Sequence, residues 1–387
     1  MHAPVYLDNA ATTALDPRVR AAMSPWIERE FGNPSSRHRQ GQRARAAIDE
    51  ARVRVARAVG AERDRVVFTS GGTEANALVV LGSARARRKH GAHVVIGPAE
   101  HACVRESALA LREEGFEVEL ARLASDGALD LEHLRSRLRG DTVLVAQMLV
   151  QNEVGAVYPV RELARIVRSR SPHAAVHVDA VQAFGKMEFS LHELGADSVA
   201  ISGHKVHGPQ GAGALITRAD LPLRPLVFGG GQEGGVRSGT ENVAGIVGLG
   251  RAAEIAHAEI AATCAHLDAL RELCVARLAR LEGARVLEPA SPSSRVLGAI
   301  VAVILPGAPS EVRMHHLEEL GVVVSAGSAC HAHESEASPA LLAMGVSALD
   351  ARSMLRLSFS RETTAEDVER GIDALERVHE RLAEVRR

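Results

Sequence analysis

From Val66 onward, short apolar runs alternate with stretches of helical length, and this alternation limits the possible folds more than any other feature. The runs are Val66-Val67-Phe68-Thr69, His93-Val94-Val95-Ile96, Glu117-Val118-Glu119-Leu120, Val143-Leu144-Val145-Ala146 and Ala175-Val176-His177-Val178, the last ending at Asp179. One helical pattern runs from Ser70-Gly71-Gly72-Thr73 to about Lys89, another starts just after His101, and a third opens near Pro159. Strands joined by helical crossovers pair in parallel, because each crossover returns the chain in the same direction. The expected class is therefore α/β, a mainly parallel sheet with helices on both faces. One further strand, Asp197-Ser198-Val199-Ala200-Ile201, stops at Ser202-Gly203-His204-Lys205, and Gly208, Gly211 and Gly213 then keep a helix from starting.

Ahead of the alternation, Val5-Tyr6-Leu7 is a short apolar run that stops at Asp8-Asn9-Ala10-Ala11-Thr12-Thr13. Pro17 opens a helix to about Glu30 with Asp16 as its cap, a turn cluster follows at Phe31-Gly32-Asn33-Pro34-Ser35-Ser36, and an amphipathic helix spans about Gly41 to Val59. Beyond the alternation, Phe228-Gly229-Gly230-Gly231 to Arg237-Ser238-Gly239-Thr240 is a glycine-dense loop. The helical pattern from Glu241 to Glu282 that follows reads, in its middle, as the link to a second domain. That domain is expected to hold strands at Gly298–Leu305, Val322–Val324 and Leu355–Phe359, and a closing helix from about Ala365 to Arg386. A length of 387 residues leaves room for two such cores.

A net charge of −2 gives no strong field for nucleic acid or a membrane surface. No apolar run is long enough to span a bilayer and no signal-peptide pattern opens the chain, so the expected compartment is the cytoplasm. Cys103, Cys264, Cys274 and Cys330 form no C-x-x-C pair, and a disulfide framework is not expected in a cytosolic chain of this size.

Polar residues then gather where strands end. Open α/β sheets bind ligands at the carboxyl ends of their strands, and Lys205 lies in a glycine-rich turn at such an end. A lysine there can lose its proton and form a Schiff base with an aldehyde, although a single loop lysine is ordinarily only a surface charge. Ser70-Gly71-Gly72-Thr73 offers backbone N–H groups and a helix dipole to a phosphate; alone it is a common turn. His101 follows a strand and can lie on a ring or move a proton, or simply be a satisfied loop histidine. Asp179 is either a helix cap or a carboxylate able to hold a pyridine nitrogen protonated, with Gln182 three residues on. Asp179 and Lys205 together meet the two needs of pyridoxal phosphate catalysis, a lysine imine and an anion at the ring nitrogen.

At this point the chain resembles the cysteine desulfurases, fold-type I pyridoxal-phosphate enzymes of the class V aminotransferase superfamily, over nearly its whole length. The resemblance is carried by Tyr6-Leu7-Asp8-Asn9-Ala10-Ala11-Thr12-Thr13, Phe31-Gly32-Asn33-Pro34-Ser35-Ser36 and Phe68-Thr69-Ser70-Gly71-Gly72-Thr73-Glu74. It continues through Glu100-His101, Gln151-Asn152-Glu153-Val154-Gly155, His177-Val178-Asp179-Ala180-Val181-Gln182 and Ser202-Gly203-His204-Lys205. Arg237-Ser238-Gly239-Thr240-Glu241-Asn242, Gly327-Ser328-Ala329-Cys330 and Arg356 complete it.

The resemblance implies a large cofactor domain at residues 13–257 and a smaller α+β domain from 1–12 and 258–387 that carries the cysteine loop. It implies that Lys205 forms the imine with pyridoxal 5'-phosphate and moves the substrate's α-proton, that Asp179 pairs with the ring nitrogen, and that His101 stacks on the ring. Gln182 would contact the ring hydroxyl, and Gly72, Thr73, Ser202 and His204 would hold the phosphate. Thr240 would reach the phosphate in the partner subunit of a homodimer. Arg356 and Asn152 would bind the substrate carboxylate, a task suited to a guanidinium fork, and Asn33 would join the same pocket. Cys330 would take sulfur from L-cysteine as a persulfide, leaving L-alanine, and pass it to an acceptor protein such as an iron–sulfur scaffold or a tRNA-thiolation protein. No metal, no direct contact with nucleic acid and no membrane is expected. Cys103, two residues after His101, reads as a small residue packed at a helix start.

The segment after Cys330, His331-Ala332-His333-Glu334-Ser335-Glu336-Ala337-Ser338-Pro339, is longer and richer in His and Glu than is usual in these enzymes. His331 and His333 can lower the thiol pKa when protonated. The stretch is also similar to the selenocysteine lyases, which makes selenocysteine the alternative substrate. Two further alternatives are an aminotransferase of the same fold, which has no need of Cys330, and a non-catalytic scaffold in sulfur trafficking.

Overall fold

The structure is a computed structural model that describes residues 4–61, 65–124, 127–290, 294–327 and 338–384. The apolar runs form one seven-stranded sheet, in the order Val66–Thr69, Gly213–Thr217, Ser198–Ser202, Ala175–Asp179, Thr142–Met148, His93–Ile96, Glu117–Leu120. From Ser198–Ser202 to Glu117–Leu120 all neighbours are parallel, as the helical spacing requires. Gly213–Thr217 runs antiparallel to both its neighbours. In the sequence Gly213 reads as part of a turn, because Gly208, Gly211 and Gly213 mask the Ala-Leu-Ile run behind them. Glycine is needed there: a Cβ on Gly213 would sit 2.6 Å from the backbone of Gly71, where the sheet passes under the Gly71-Gly72 turn.

Successive residues of each strand serve opposite layers, as the pleat dictates. Val94, Ile96, Leu144 and Ala146 join a core with Leu78, Val104 and Leu111 from the helices Gly72–Ala86 and Ala102–Glu113. Val95, Val145, Val176 and Val178 face the other way, into the core shared with the helices Arg39–Ala58, Val160–Arg170 and Val243–Ala258. Every residue of Thr142–Met148 and of Ser198–Ser202 is buried, as expected of strands covered on both faces.

The helical pattern from Glu241 to Glu282 breaks at Glu259 into Val243–Ala258 and Ile260–Leu278. Beyond it a second, three-stranded antiparallel sheet places Ile300–Ile304 between Arg285–Leu287 and Met354–Ser358. The helices Ile260–Leu278, Ser310–Glu319 and Ala365–Glu384 accompany it. Val5–Tyr6 crosses to pair with Val322–Val323, so the amino-terminal segment is fastened to carboxyl-terminal elements. Asp8 extends this fastening with a bridge to Ser358. Among the described residues no helix is long and apolar enough to cross a membrane.

Candidate active site

A cavity of about 300 Å³ opens at the carboxyl ends of the parallel strands, where the fold class places ligands. Its floor comes from four strand-to-helix junctions. Lys205 ends the short 3-10 turn Gly203–Lys205 that follows Ser198–Ser202. Its Nζ donates to the carbonyl oxygens of Ala10 at 2.6 Å and Ala11 at 2.7 Å. The amine is thus aimed into the cavity by a segment far away in sequence.

Asp179 closes the neighbouring strand Ala175–Asp179, with its Oδ1 accepting from the Val181 N–H at 2.9 Å and its Oδ2 from Asn76 Nδ2 at 2.7 Å. Burial pushes the carboxyl pKa up, while His101, the two donors and Lys205 pull it down. Asn76 passes the arrangement inward, its Oδ1 lying 2.8 Å from His177 Nε2, whose Nδ1 is 2.9 Å from Ser198 Oγ. Complete burial brings His177 down to about 3, so it stays neutral. Asn76 was missed in the sequence, and the signal for it was its place one helical turn after Gly72, on the face that must point at the strand ends.

His101 caps the helix Ala102–Glu113 and accepts from the Cys103 N–H at 3.2 Å through Nδ1, which leaves Nε2 to carry the proton. Cys103 Sγ lies 3.0 Å from the same Nδ1 and also lines the cavity. Burial pushes that thiol up to about 12, so Cys103 is packing and a hydrogen-bond neighbour, not a nucleophile. Behind His101, desolvation pushes the half-buried Glu100 carboxyl up to about 8, with one oxygen on the Met148 N–H at 2.6 Å and the other without a hydrogen-bond partner among the described residues.

One end of the cavity suits an anion. The helix Gly72–Ala86 has no side-chain cap, so its first N–H groups are open to a ligand. Thr73, Ser202 and His204 stand around it. A Cβ on Gly72 would sit 2.6 Å from Val181 Cγ2, which restricts that position to glycine. Burial, then Lys205, brings His204 down to about 4; it offers a neutral ring whose Nδ1 is 3.2 Å from Thr12 Oγ1.

The opposite wall carries Arg356, from the Met354–Ser358 strand of the second sheet. Its guanidinium binds Asp8 Oδ1 at 2.7 Å and the Asn152 carbonyl at 2.9 Å, while its buried Nε lacks a hydrogen-bond partner among the described residues. Gln182 also lines the cavity and donates through Nε2 to the Ala10 carbonyl at 3.0 Å. An uncapped helix start, a buried carboxylate and an aimed amine are the three features that a phosphate, a pyridine nitrogen and an aldehyde require, so the site fits pyridoxal phosphate.

Gly72, Thr73, His101, Asn152, Asp179, Gln182, Ser202, His204, Lys205 and Arg356 therefore meet in one cavity. Asn33 does not join them: it is exposed, and its Oδ1 is used locally, accepting from the Ser35 N–H at 2.9 Å. Thr240 is exposed on the glycine-dense loop, which Arg237 ties to Glu74 at 2.8 Å, and it is not part of this chain's cavity. Cys330, His331 and His333 lie outside the described residues. The described residues that flank them, Gly327 and Ser338, both stand against Glu153. Ser338 Oγ donates to Glu153 Oε1 at 2.9 Å, and a Cβ on Gly327 would lie 3.1 Å from Glu153 Oε2.

Comparison with known proteins agrees with this geometry. The model of the class-V aminotransferase family matches residues 5–370. The protein named cysteine desulfurase IscS of Dictyoglomus turgidum is 38% identical, covering 99% of this chain and 96% of its own length. Its namesake from Anaeromyxobacter sp. strain Fw109-5 is 40% identical over 95% of this chain and 91% of that protein. Among solved structures, a NifS-like protein superposes with a TM-score of 0.90 at 35% identity, covering 97% of this chain and 99% of the other. A second, described as SspA in complex with cysteine, gives a TM-score of 0.79 at 29% identity over 93% and 99% of the two chains. The chain belongs to the class-V aminotransferase family.

Proposed function

We propose that this protein is a pyridoxal-phosphate-dependent cysteine desulfurase that removes sulfur from L-cysteine, giving L-alanine and a persulfide on Cys330. The observation that carries the reading is the meeting of Lys205, Asp179 and the uncapped Gly72–Ala86 helix in a cavity walled by a partly unpaired arginine. Two relatives, alike over nearly their whole length, bear the name cysteine desulfurase, and a third neighbour was solved with cysteine bound.

Bound there, the cofactor supplies an electron sink for the carbon that carries the amino group. Lys205, whose amine is aimed into the cavity, would hold the cofactor and would carry the substrate's α-proton. Asp179 would hold the ring nitrogen protonated, His101 would contact the ring with its Nε2–H available, and Gln182 would meet the ring oxygen. Gly72, Thr73, Ser202 and His204 hold the phosphate, and Thr240 reaches that of the partner subunit in a homodimer. Arg356 and Asn152 take the substrate carboxylate; the Arg356 Nε, without a hydrogen-bond partner among the described residues, supports this. The Cys330 thiolate attacks the substrate's sulfur, the S–S bond forms as the carbon–sulfur bond breaks, and protonation of the remaining carbon gives alanine. Both roots of the Cys330 segment stand at Glu153, next to Asn152, which suits delivery of that thiol.

The same reading divides the chain into a cofactor domain, 13–257, and a smaller domain from 1–12 and 258–387, as the pairing of Val5–Tyr6 with Val322–Val323 supports. It places the enzyme in the cytoplasm with a sulfur-acceptor protein, such as an iron–sulfur scaffold, downstream. The test is to incubate the cofactor-loaded protein and its Cys330→Ala variant with L-cysteine or selenocysteine and follow alanine and protein persulfide. Alanine and persulfide from cysteine in the parent, with both lost in the variant, are expected. Full alanine production by the variant overturns the mechanism, and turnover of selenocysteine alone overturns the substrate.

A further inference from the structure

Lys186 is buried, with 5% of its surface exposed, and no role assigned so far uses it. Among the described residues no carboxylate pairs with it; its Nζ donates to Gln182 Oε1 at 3.2 Å. Burying a lysine without a counter-ion is unfavourable, and a methionine would fill the space without that penalty. Charges of the same sign surround it. Burial, then Lys205 and Arg356, bring its amine down to about 7. It shares a small void with Lys205, His207 and Arg361, and its own charge in turn lowers the pKa of His204 and of His207.

The hydrogen bonds explain why a donor is kept there. Lys186 Nζ donates to the amide oxygen at one end and the Ala10 carbonyl accepts from the amide nitrogen at the other, so both contacts agree on which way Gln182 points. With Oε1 turned to Lys186, Nε2 lies on the cavity side, on the Ala10 carbonyl. That carbonyl also receives Lys205 Nζ at 2.6 Å, so Lys186, Gln182, Ala10 and Lys205 form one continuous chain of contacts. Without Lys186 nothing holds Oε1, and the amide keeps only the Ala10 carbonyl, which it shares with Lys205.

We propose that Lys186 is a positioning residue: by holding Gln182 Oε1 it makes Gln182 a hydrogen-bond donor to an acceptor oxygen on the ring bound in the cavity. The inference rests on the pyridoxal phosphate reading above. It is tested by titrating the absorption band of the lysine-bound cofactor with pH, and by measuring cofactor affinity, in the parent, Lys186→Met and Lys186→Gln. Methionine removes the donor at similar volume, whereas glutamine removes the charge and keeps an N–H.

A lost donor raises the proton affinity of the ring oxygen and of the imine next to it. Lys186→Met is therefore expected to move the titration midpoint upward by about one unit and to weaken cofactor binding about tenfold, the range of one hydrogen bond. Lys186→Gln is expected to stay near the parent in both. An unmoved midpoint and affinity in Lys186→Met overturn the proposal. So does a Lys186→Gln shift as large as that of methionine, because charge alone would then be the cause. Circular dichroism and melting of the cofactor-free proteins identify a variant that fails to fold, in which case Lys186→Gln alone decides, by keeping or losing the parent midpoint. If the parent itself shows no such band, the cofactor reading fails instead.

Discussion

The floor and the wall of the cavity are built in opposite ways. Floor residues come from neighbouring junctions of one sheet and are held by short local contacts, such as Asp179 on the Val181 N–H and Asn76. The wall depends on a pair between the two ends of the chain, Arg356 with Asp8. The floor leaves backbone N–H groups open at the start of the Gly72–Ala86 helix, whereas the wall leaves a buried guanidinium nitrogen without a partner among the described residues. On the proposed function, the difference assigns cofactor retention to the floor and substrate selection to the wall, and makes the two separable by mutation.

The sharpest way to break that separation is Asp179→Asn. Loss of the anion at the ring nitrogen is expected to lower kcat by roughly 100- to 1,000-fold, the scale of one preorganised electrostatic contact, and to alter the cofactor spectrum before substrate is added. Stopped-flow and static absorbance separate the two effects. Arg356→Lys is the matching change in the wall. It keeps the charge but loses the fork, so KM for cysteine is expected to rise about 10- to 100-fold with an unchanged resting spectrum. A changed spectrum there would show that floor and wall are one unit.

Gly72→Ala forces a methyl group to within 2.6 Å of Val181 Cγ2. Overpacking of this kind costs about 1–3 kcal/mol, so cofactor affinity measured by fluorescence titration is expected to fall about tenfold while KM holds. Glu100→Gln gives the smallest effect on turnover and acts on stability. The Glu100 carboxyl sits near 8 when folded against an ordinary value of 4.5. Its stabilising protonated form is fully present below 4.5 and is lost as pH rises through 8. The variant, neutral throughout, is expected to gain on the parent by on the order of 3 kcal/mol between pH 5 and pH 9, read from melting curves at both ends.

The floor was largely legible in the sequence because it is local. A run of βα units announces parallel strands, and Gly72, His101, Asp179 and Lys205 each follow a strand by a few residues, so topology alone gathers them. Gly213–Thr217 was hidden because its opening glycine serves close backbone packing, which no propensity reports. Asn76 and Lys186 were overlooked for another reason: both lie within or just after regular motifs, and only their partners, Asp179 and Gln182, show what they do. Arg356 needed the family resemblance, since nothing within a strand of a distant sheet indicates that Asp8 waits for it.

The pairing of Val5–Tyr6 with Val322–Val323, and of Asp8 with Arg356, also sets an order of assembly. Chains grow from the amino end at a few residues each second, and early domains fold as they emerge. The seven-stranded sheet, with Lys205 and Asp179, is complete once Thr217 has been made, whereas Arg356 is not synthesised until well over a hundred residues later. During that interval Asp8 has no guanidinium and Val5–Tyr6 no neighbouring strand. A nascent chain can therefore present the cofactor floor to solvent before it can select a substrate, and its earliest-made residues are among the last to find their places.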